Sequence, residues 1–333
     1  MILVTGGTGY IGSHSVIELH NEGYDVLIVD NFVNSSPSVL KHLKTITGVD
    51  FNFLQVDLCD YEQLKDATKN YSIEGVIHFA AFKSVGESVD LPLKYYNNNI
   101  QSLTNVLKLC EEREISNIVF SSSCTVYGNP ESIPVTESTP IGKAESPYGK
   151  TKVFSEEILK DFHKSSSKTI CNLRYFNPIG AHESGLLGDY PDGKPNNLLP
   201  FVTQVAAGLR EKLSVFGDDY NTKDGSCIRD YIHVVDLAKA HVNAIDYNKR
   251  NRKLYSVFNI GTGVGVSVFE LLSTFEKVNK TPVKFEISKR RSGDVGAIYA
   301  DCQNAAKKLN WKAKLNLEDM LSSAWNFQKK IEK

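Results

Sequence analysis

The sequence lacks a long apolar run, an excess of charge of one sign and any cluster of cysteines. No apolar segment approaches the ~20 residues that cross a bilayer, and Met1 leads directly into a strand-like segment, leaving no room for a signal peptide. The 38 Lys and Arg nearly balance the 39 Asp and Glu, which gives no sign of a nucleic-acid or membrane partner. Six scattered cysteines without C-x-x-C spacing are typical of reduced thiols rather than of disulfides or a metal site. We therefore expect a cytoplasmic protein without a metal.

The chain contains instead a repeated alternation of two apolar patterns. Short β-branched segments alternate with helical periodicity, and they lie at residues 2–5, 26–29, 51–55, 75–79, 117–121 and 169–175. The alternation predicts an α/β fold with a Rossmann-type doubly wound parallel sheet, covered by helices on both faces. Residues 177–200 are rich in Gly, Pro and Asn and are predicted to form a loop. Shorter elements follow, among them a strand at 257–260 and a short helix at 233–247, which predicts a smaller mixed α/β C-terminal domain.

A glycine motif opens the chain. Residues 7–12 read GTGYIG, which matches G-x-G-x-x-G between a predicted strand and a predicted helix. The glycines permit a tight turn and let a pyrophosphate approach the helix N-terminus, whose free N–H groups attract anions. Asp30 closes the second strand, where a carboxylate binds the adenosine ribose hydroxyls and repels a 2′-phosphate. The alternative is a plain glycine turn beside a solvated aspartate, but the strand, the helix and the acid together favour dinucleotide binding. The carboxylate of Asp30 favours NAD over NADP.

Residues 146–152 read SPYGKTK and predict the start of a helix. Ser146 is a good N-cap and Pro147 a good first helical residue. Tyr148 and Lys152 lie four positions apart, so they project from the same face. The ammonium of Lys152 should favour the phenolate and lower the pKa of Tyr148 from ~10 towards neutrality. Such pairs also arise by chance, so the prediction of a catalytic base depends on the rest of the chain.

Taken together, these motifs resemble the extended short-chain dehydrogenase/reductases and, among them, the UDP-sugar 4-epimerase family. The resemblance runs from residue 1 to about 325 and is carried by TGGTGYIG at 5–12, HFAAFKSVGES at 78–88, FSSSCTVYG at 120–128, RYFNPIGAH at 174–182, PNNL at 195–198, RDYIH at 229–233 and RRSGD at 290–294. It implies reversible NAD-dependent epimerisation of UDP-galactose and UDP-glucose at C4 through a 4-keto intermediate, as in the Leloir pathway of galactose metabolism. It also implies that NAD is tightly retained.

The resemblance implies a role for many single residues. Tyr148 would be the catalytic acid/base, Lys152 would hold the nicotinamide ribose, and the hydroxyl of Ser123 would bridge Tyr148 and the sugar. The implied NAD site comprises Gly6, Gly9, Tyr10, Ile11, Gly12, Asp30, Asn31, Asn34, Ser35, Asp57, Leu58, Phe79, Ala80, Lys83, Asn98, Ser121, Tyr148, Lys152 and Phe176. The implied UDP-sugar site comprises Ser123, Tyr148, Asn177, Asn197, Leu198, Phe216, Arg229, Tyr231, Arg291, Asp294 and Ile298. The arginines suit a diphosphate and Phe216 suits a uracil ring.

The change of pattern after about residue 177 predicts two domains, and the resemblance implies an assembly. We predict an NAD-binding domain over residues 1–176, to which about 232–262 return. A UDP-sugar domain would comprise 177–231 and 263–333. The family implies a homodimer that forms through the helices predicted at 91–113 and 147–163.

Several alternatives share this scaffold. Nucleotide-sugar 4,6-dehydratases need an adjacent Asp–Glu pair where this chain has Cys124 and Thr125. A non-catalytic NAD-binding sensor would be expected to lack Ser123, Tyr148 or Lys152. In the family a large aromatic at the position of Ile298 confines the pocket to glucose and galactose, whereas a small residue admits N-acetylated sugars. The stiff Ile298 favours unacetylated sugars; UDP-GlcNAc, UDP-GalNAc, UDP-xylose, UDP-arabinose and UDP-glucuronate stay open as substrates.

Overall fold

Strands and helices alternate through the first half of the chain, as its apolar patterning predicts. The computed structural model describes residues 1–191, 193, 195–291 and 294–331. The strands are β1 (Ile2–Thr5), β2 (Val26–Asp30), β3 (Asn52–Gln55), β4 (Gly75–His78), β5 (Asn117–Ser121), β6 (Thr169–Tyr175), β7 (Asn177–Ile179), β8 (Leu213–Phe216), β9 (Ile228–His233), β10 (Tyr255–Ile260), β11 (Gly265–Ser267), β12 (Phe285–Ser288) and β13 (Ala297–Ile298). The α-helices are α1 (Tyr10–Asn21), α2 (Ser38–Thr47), α3 (Tyr61–Thr68), α4 (Val85–Asp90), α5 (Pro92–Glu112), α6 (Pro147–Ser166), α7 (Leu198–Ala206), α8 (Val234–Arg250), α9 (Val268–Asn279) and α10 (Leu317–Ile331).

The larger sheet is parallel throughout. Its order is β3-β2-β1-β4-β5-β6-β10, and Thr5 at the end of β1 lies level with Val29 on β2 and His78 on β4. The strand order reverses between β1 and β4, which opens a crevice at the carboxyl ends of the strands, where ligands of such sheets bind. The predicted Rossmann-type α/β fold is confirmed.

Both faces of this sheet are buried, which explains why its strands are apolar without alternation. Ile2 and Val4 of β1 face a core formed with α1 and α8. Leu3, between them, faces the opposite core, formed with α3, α5 and α6. The sheet therefore holds the ends of β1 to β6 rigidly in one row.

A smaller sheet is built around β9. That strand pairs in parallel with β7 and β13 and antiparallel with β11, while β8 and β12 form a separate parallel pair. Helices α7, α9 and α10 enclose a third apolar core beside these strands. The chain leaves the large sheet after Tyr175 and returns to it through α8 and β10, which pairs with β6. The division into domains at residues 176, 231 and 262 stays a prediction.

Three local predictions need correction. Residues 177–200 are not all loop, because β7 forms there by pairing with β9; the helix predicted near 198–208 is confirmed as α7. Helix α8 ends at Arg250 rather than Tyr247 and is not short. Helix α4 was not predicted; Ser84 caps it, and Pro92, which disfavours a helical conformation at Leu91, separates it from α5. Among the described helices, none has both the length and the apolar character that a bilayer crossing requires.

Candidate active site

The candidate site is built on the first turns of α6. The hydroxyl of Ser146 accepts a hydrogen bond from the N–H of Gly149 at 3.1 Å, and Pro147 is the first helical residue, so the predicted start of this helix is confirmed. Tyr148 and Lys152 face the ends of the central strands, with 7% and 4% of their surfaces exposed. Burial at this depth shields both groups from water.

The charge state of this pair differs from the prediction. Burial raises the pKa of Tyr148 well above its usual value, and the nearby phenol of Tyr175 adds to the rise, whereas hydrogen bonding with Ser123 lowers it. Burial lowers the pKa of Lys152 to about 8, while the carboxylate of Glu156 raises it. The prediction of a lowered pKa for Tyr148 is therefore wrong for these groups. The prediction considered only the charge of Lys152, whereas the loss of hydration on burial has the larger effect on the pKa of Tyr148.

Lys152 is fixed by the backbone at the end of β5. Its Nζ donates to the carbonyl oxygen of Ser121 at 2.7 Å and lies 5.9 Å from the centre of the Tyr148 ring. Ser123 is buried, and its hydroxyl accepts from the N–H of Thr125 at 3.2 Å, at the start of a short 3₁₀ turn. Strand β5 and helix α6 thus bring the predicted serine, tyrosine and lysine together.

The glycine loop before α1 can admit a diphosphate. A β-carbon on Gly12 would lie 2.1 Å from the carbonyl oxygen of Gly6, so the helix packs directly against the turn. Gly6 has a φ of +69°, and a β-carbon there would lie 2.8 Å from the backbone nitrogen of Ala80. The first turn of α1 carries no acidic residue. This cradle fits the anionic centre of a dinucleotide.

Asp30 is oriented by the loop residues around it. Its carboxylate accepts from the N–H of Thr8 at 3.1 Å, from the N–H of Phe32 at 2.9 Å and from the hydroxyl of Ser35 at 3.1 Å. The hydroxyl of Thr8 lies 2.8 Å from that of Ser35. Thr8 was not predicted as a site residue, although its place inside the glycine motif was a usable signal. The arrangement fits an adenosine ribose.

The other residues predicted for NAD lie along the same edge of the sheet. Tyr10 and Ile11 open α1, Asn31 and Asn34 follow β2, Asp57 and Leu58 follow β3, Phe79, Ala80 and Lys83 follow β4, Asn98 lies on α5, Ser121 ends β5 and Phe176 follows β6. Asn34 and Asp57 are exposed, whereas Leu58 and Phe176 are buried. The row follows the crevice between β1 and β4 from both sides, as a bound dinucleotide requires.

Residues predicted for the UDP-sugar converge from the smaller sheet. Arg229 on β9 lies level with Ile298 on β13, and its Nη2 lies 3.9 Å from a carboxylate oxygen of Asp294. Asp294 also accepts from Nε of Arg291 at 3.3 Å, and the Arg291 guanidinium lies 5.1 Å from the ring centre of Phe216. The structure therefore brings two guanidinium groups and an aromatic ring together.

Arg229 also approaches the 3₁₀ turn that begins at Cys124. Burial raises the pKa of the Cys124 thiol to about 12, and the charge of Arg229 acts in the opposite direction. Tyr231 is buried on β9, level with Asn177 on β7. Ser292 and Gly293, which belong to the RRSGD motif, lie outside the described residues.

Asp189 connects the two groups of predicted site residues, and sequence reasoning missed it. Its carboxylate accepts from Nδ2 of Asn197 at 2.9 Å and lies 3.4 Å from Nζ of Lys83. Asn197 precedes Leu198, which begins α7. Asp189 lies in the stretch rich in Gly, Pro and Asn, where no local pattern distinguishes one polar residue from the next.

Asn99 and Asp230 were missed as well. Asn99 exchanges two hydrogen bonds with the backbone of Phe82 and donates to the hydroxyl of Thr151 at 3.1 Å, joining the loop after β4 to α6. Asp230 is fully buried and accepts from the N–H groups of Thr262, Gly263 and Ala300 at 2.8 to 3.2 Å. Its place between Arg229 and Tyr231 in RDYIH was the available signal.

Ile298 lies in an apolar cluster with the predicted NAD residue Phe176. Val126, Tyr127, Val135 and Ala300 complete its buried members. The side chain of Ile298 is itself buried, so this position offers an apolar surface and no hydrogen-bonding group to its surroundings. Within the described ranges, no three His, Cys, Asp or Glu residues are grouped as a metal site would need.

The fold is that of a dinucleotide-binding protein, with Ser123, Tyr148 and Lys152 beside the end of β5 and Arg229 on the smaller sheet. A family model described as GDP-mannose 4,6 dehydratase matches residues 3–324. The UDP-glucose 4-epimerase of Bacillus subtilis is 50% identical over 331 residues, covering 98% of this chain and 96% of that protein. The crystal structure of the Bifidobacterium longum UDP-glucose 4-epimerase, in complex with NAD+ and UDP, has a TM-score of 0.95 and 48% identity, covering 99% and 98% of the chains.

A second solved structure is similar to this chain to the same degree. It is the UDP-glucose 4-epimerase of Stenotrophomonas maltophila with bound NAD and formylated UDP-arabinopyranose, with a TM-score of 0.96 and 44% identity over 99% of this chain and 98% of that one. The chain belongs to the UDP-glucose 4-epimerase family, within the extended short-chain dehydrogenase/reductases. The family resemblance drawn from the motifs is confirmed.

Proposed function

We propose that this protein interconverts UDP-galactose and UDP-glucose by NAD-dependent epimerisation at C4, through a 4-keto sugar nucleotide, as an isomerase of galactose metabolism. The observation that carries the proposal is that buried Tyr148 and Lys152 lie together on α6, with Lys152 hydrogen-bonded to the end of β5, while Arg229 and Arg291 both approach Asp294 beside the smaller sheet. In the proposed site Tyr148 and Lys152 supply the acid–base groups, and Arg229 and Arg291 bind the diphosphate. Identities of 47–50% over nearly the whole chain to curated UDP-glucose 4-epimerases support it.

NAD, when bound, supplies a reversible hydride acceptor for C4 of the sugar. Tyr148 exchanges a proton with the sugar 4-hydroxyl, and Ser123 hydrogen-bonds at the same oxygen. Because burial raises the pKa of Tyr148, the phenolate needs a positive charge beside it. Lys152, which the carbonyl of Ser121 holds in place, supplies that charge while it is protonated.

Epimerisation requires firm binding of the nucleotide and loose binding of the sugar, because the keto sugar must present both of its faces. Arg229 and Arg291 suit the diphosphate as guanidinium forks, and Phe216 provides an aromatic surface 5.1 Å from Arg291. Ile298 presents only apolar surface to the sugar pocket. The predicted pocket therefore concentrates its charged contacts on the nucleotide.

The decisive experiment mixes the purified protein with UDP-galactose, without added NAD, and follows UDP-glucose. We expect product, which requires both the activity and NAD that remains bound through purification. Product that appears only after NAD is added would keep the reaction and refute tight retention. The absence of UDP-glucose in both assays would refute the proposed function.

For the sugar, we propose preference for unacetylated substrates, because the stiff Ile298 side chain is packed among Phe176 and Tyr127. A relative from Campylobacter jejuni, 37% identical, is described as a UDP-Glc/GlcNAc 4-epimerase, so the alternative substrate occurs on this fold. We expect kcat/KM for UDP-GlcNAc to be well below that for UDP-glucose, and Ile298→Gly to narrow the gap. Equal values in the wild type would refute the preference.

We also propose a homodimer that uses α5 and α6. Leu93 on α5 and Phe154 on α6 expose 73% and 48% of their surfaces, and Phe154 packs beside Tyr96 with ring centres 6.1 Å apart. Exposed apolar side chains on adjacent helices are typical of association surfaces. Sedimentation should show a dimer that Phe154→Lys dissociates. Ile287→Lys, at an equally exposed site on β12, should leave it intact, and a monomeric wild type would refute the assembly.

We also propose a cytoplasmic location, and the state of the cysteines supports it. All six are free thiols in the structure, which suits a reducing compartment. Cell fractionation of the source organism tests this, and recovery outside the cytoplasm would refute it.

A further inference from the structure

Helix α6 carries a third buried polar residue in line with Tyr148 and Lys152. Glu156 lies one turn beyond Lys152, and only 2% of its surface is exposed. An isolated carboxylate at this depth would be strongly destabilising. The proposed proton exchange does not itself use Glu156, so its burial needs another reason.

The carboxylate of Glu156 is paired with Arg174 on β6. Arg174, 4% exposed, donates from Nη2 to Oε2 at 2.6 Å and from Nε to Oε1 at 3.0 Å. This is the two-pronged geometry that makes an arginine–carboxylate pair rigid as well as strong. The pair therefore locks α6 to β6 directly behind the site.

The same carboxylate holds the segment that carries Ser123. The hydroxyl of Ser122 donates to Oε1 of Glu156 at 2.5 Å, and the N–H of Ser122 donates to the carbonyl of Leu173 at 2.9 Å. Ser122 immediately precedes Ser123. Glu156 thus contacts both parts of the proposed site. It holds Ser122, just after β5, by a hydrogen bond, and it lies one helical turn from Lys152 on α6.

From Arg174 a polar chain continues towards the sugar pocket. Nη1 of Arg174 donates to the hydroxyl of Tyr127 at 3.1 Å, and that hydroxyl donates to Oδ1 of Asn259 at 2.5 Å. Asn259 donates to the carbonyl of Val135 at 2.9 Å, and the N–H of Val135 donates to the carbonyl of Tyr299 at 3.0 Å. The chain ends one residue from Ile298.

We propose that Glu156 and Arg174 are positioning residues of the reaction, whose ion pair fixes Ser123 and Lys152 relative to the pocket wall at Ile298. The inference rests on the proposed function. A buried ion pair is often no more stabilising than apolar residues of similar volume, so stability alone does not explain why Glu156 and Arg174 are buried here. The need to fix the positions of Ser123 and Lys152 explains it, because a misplacement of about 1 Å at the reacting centre can lower a rate roughly 100-fold.

The charge of Glu156 also faces Lys152. The ammonium lies 4.8 Å from the ring centre of Phe120 on β5 and 5.9 Å from that of Tyr148 on α6. On β4, burial and then the charge of Lys152 lower the pKa of His78 to about 3, and on α6 the carboxylate of Glu156 lies one turn from Lys152. Of these groups Glu156 is the one that raises the pKa of Lys152. Its removal should therefore bring the deprotonation of Lys152 to lower pH.

The test compares the wild type, Glu156→Gln, Ser122→Ala and the double variant Glu156→Met/Arg174→Met in the UDP-galactose assay. The double variant removes both charges and leaves neither one unpaired. We expect it to melt near the wild type and retain NAD, with kcat roughly 100-fold lower and KM nearly unchanged. Ser122→Ala should show a smaller loss of kcat, and Glu156→Gln should shift the alkaline limb of the kcat profile to lower pH. Asp161→Asn, which removes an exposed ion pair with Lys164 from the same helix, is the matched control and should behave as the wild type.

The outcomes separate the two claims. An active wild type with an equally active double variant would refute the positioning role and leave the proposed function standing. Loss of activity only in step with loss of NAD or of thermal stability would also refute it, because that is what a purely structural pair predicts. A silent wild type would refute the proposed function and this inference with it.

Discussion

Replacing Gly12 with alanine tests whether the contact between α1 and the glycine turn forms the NAD site. The added β-carbon would lie 2.1 Å from the carbonyl oxygen of Gly6 and 2.9 Å from the α-carbon of Gly7. Since such contacts do not fall below 3.0 Å, the helix and the turn must separate by roughly 1 Å. Overpacking of this kind costs about 1–3 kcal/mol of folding stability.

The same displacement moves the N–H groups that would face the pyrophosphate. We expect binding of NAD to weaken, because the displaced N–H groups no longer converge on the pyrophosphate, so the purified variant should carry little NAD. NAD released by acid denaturation, measured per chain, gives the result directly, and thermal unfolding with and without added NAD gives the coupling to stability.

Gly86→Ala is the control for this measurement. Gly86 lies on α4, and a β-carbon there would have no heavy atom within 4 Å. Alanine is favoured over glycine in a helix by about 0.5–1 kcal/mol, so this variant should keep its NAD and be slightly more stable. Gly12→Ala with the NAD content of the wild type would refute our assignment of the glycine turn.

Three further predictions concern the residues around the sugar. Tyr148→Phe should lower kcat by about 10²–10⁴-fold, the range of general acid–base catalysis, with NAD still bound; undiminished turnover would remove Tyr148 from the mechanism. Arg229→Lys should raise KM for UDP-galactose and weaken the affinity for UDP measured by calorimetry, because the guanidinium fork is lost; an unchanged affinity would place the diphosphate elsewhere. Burial lowers the pKa of Lys152 to about 8, so its ammonium is lost as the pH rises through that value, and kcat should fall there. The effect on stability has the opposite sign: burial of the ammonium destabilises the fold below pH 8, and this penalty disappears as the pH rises towards 10.5. Lys152→Met should abolish that rise in a thermal-unfolding series, and a rise that persists would assign it to another group.

Elements that depend on neighbours in sequence were predictable. Ile2–Thr5, Asn117–Ser121 and Thr169–Tyr175 form strands at the predicted residues, because each is a short apolar run between turn signals. The cap at Ser146 forms as expected, since capping needs only the next three residues.

Features that depend on distant pairing were not predictable in the same way. Strand β7, with the sequence Asn-Pro-Ile, has no strand signal of its own and exists because β9 pairs with it. The raised pKa of Tyr148 and the buried pair of Glu156 with Arg174 depend on how deeply α6 packs against the sheet, which a local pattern does not contain. The motifs predict a set of site residues, and the fold shows which of them lie close together.

The two sides of the crevice differ in a way that the proposed reaction requires. Either face of C4 must be delivered to one fixed set of Ser123, Tyr148 and Lys152, so this side has to be rigid. Lys152 is held by the hydrogen bond that it donates to the carbonyl oxygen of Ser121, and Ser122, next to Ser123, by the one that it donates to the carboxylate of Glu156. The sugar side has to leave the ring without a preferred orientation, and the buried Ile298 is the apolar residue predicted to line it. Under the proposed function, a hydrogen-bonding residue at position 298 is expected to favour one face of the keto sugar and to slow the return of hydride to the other.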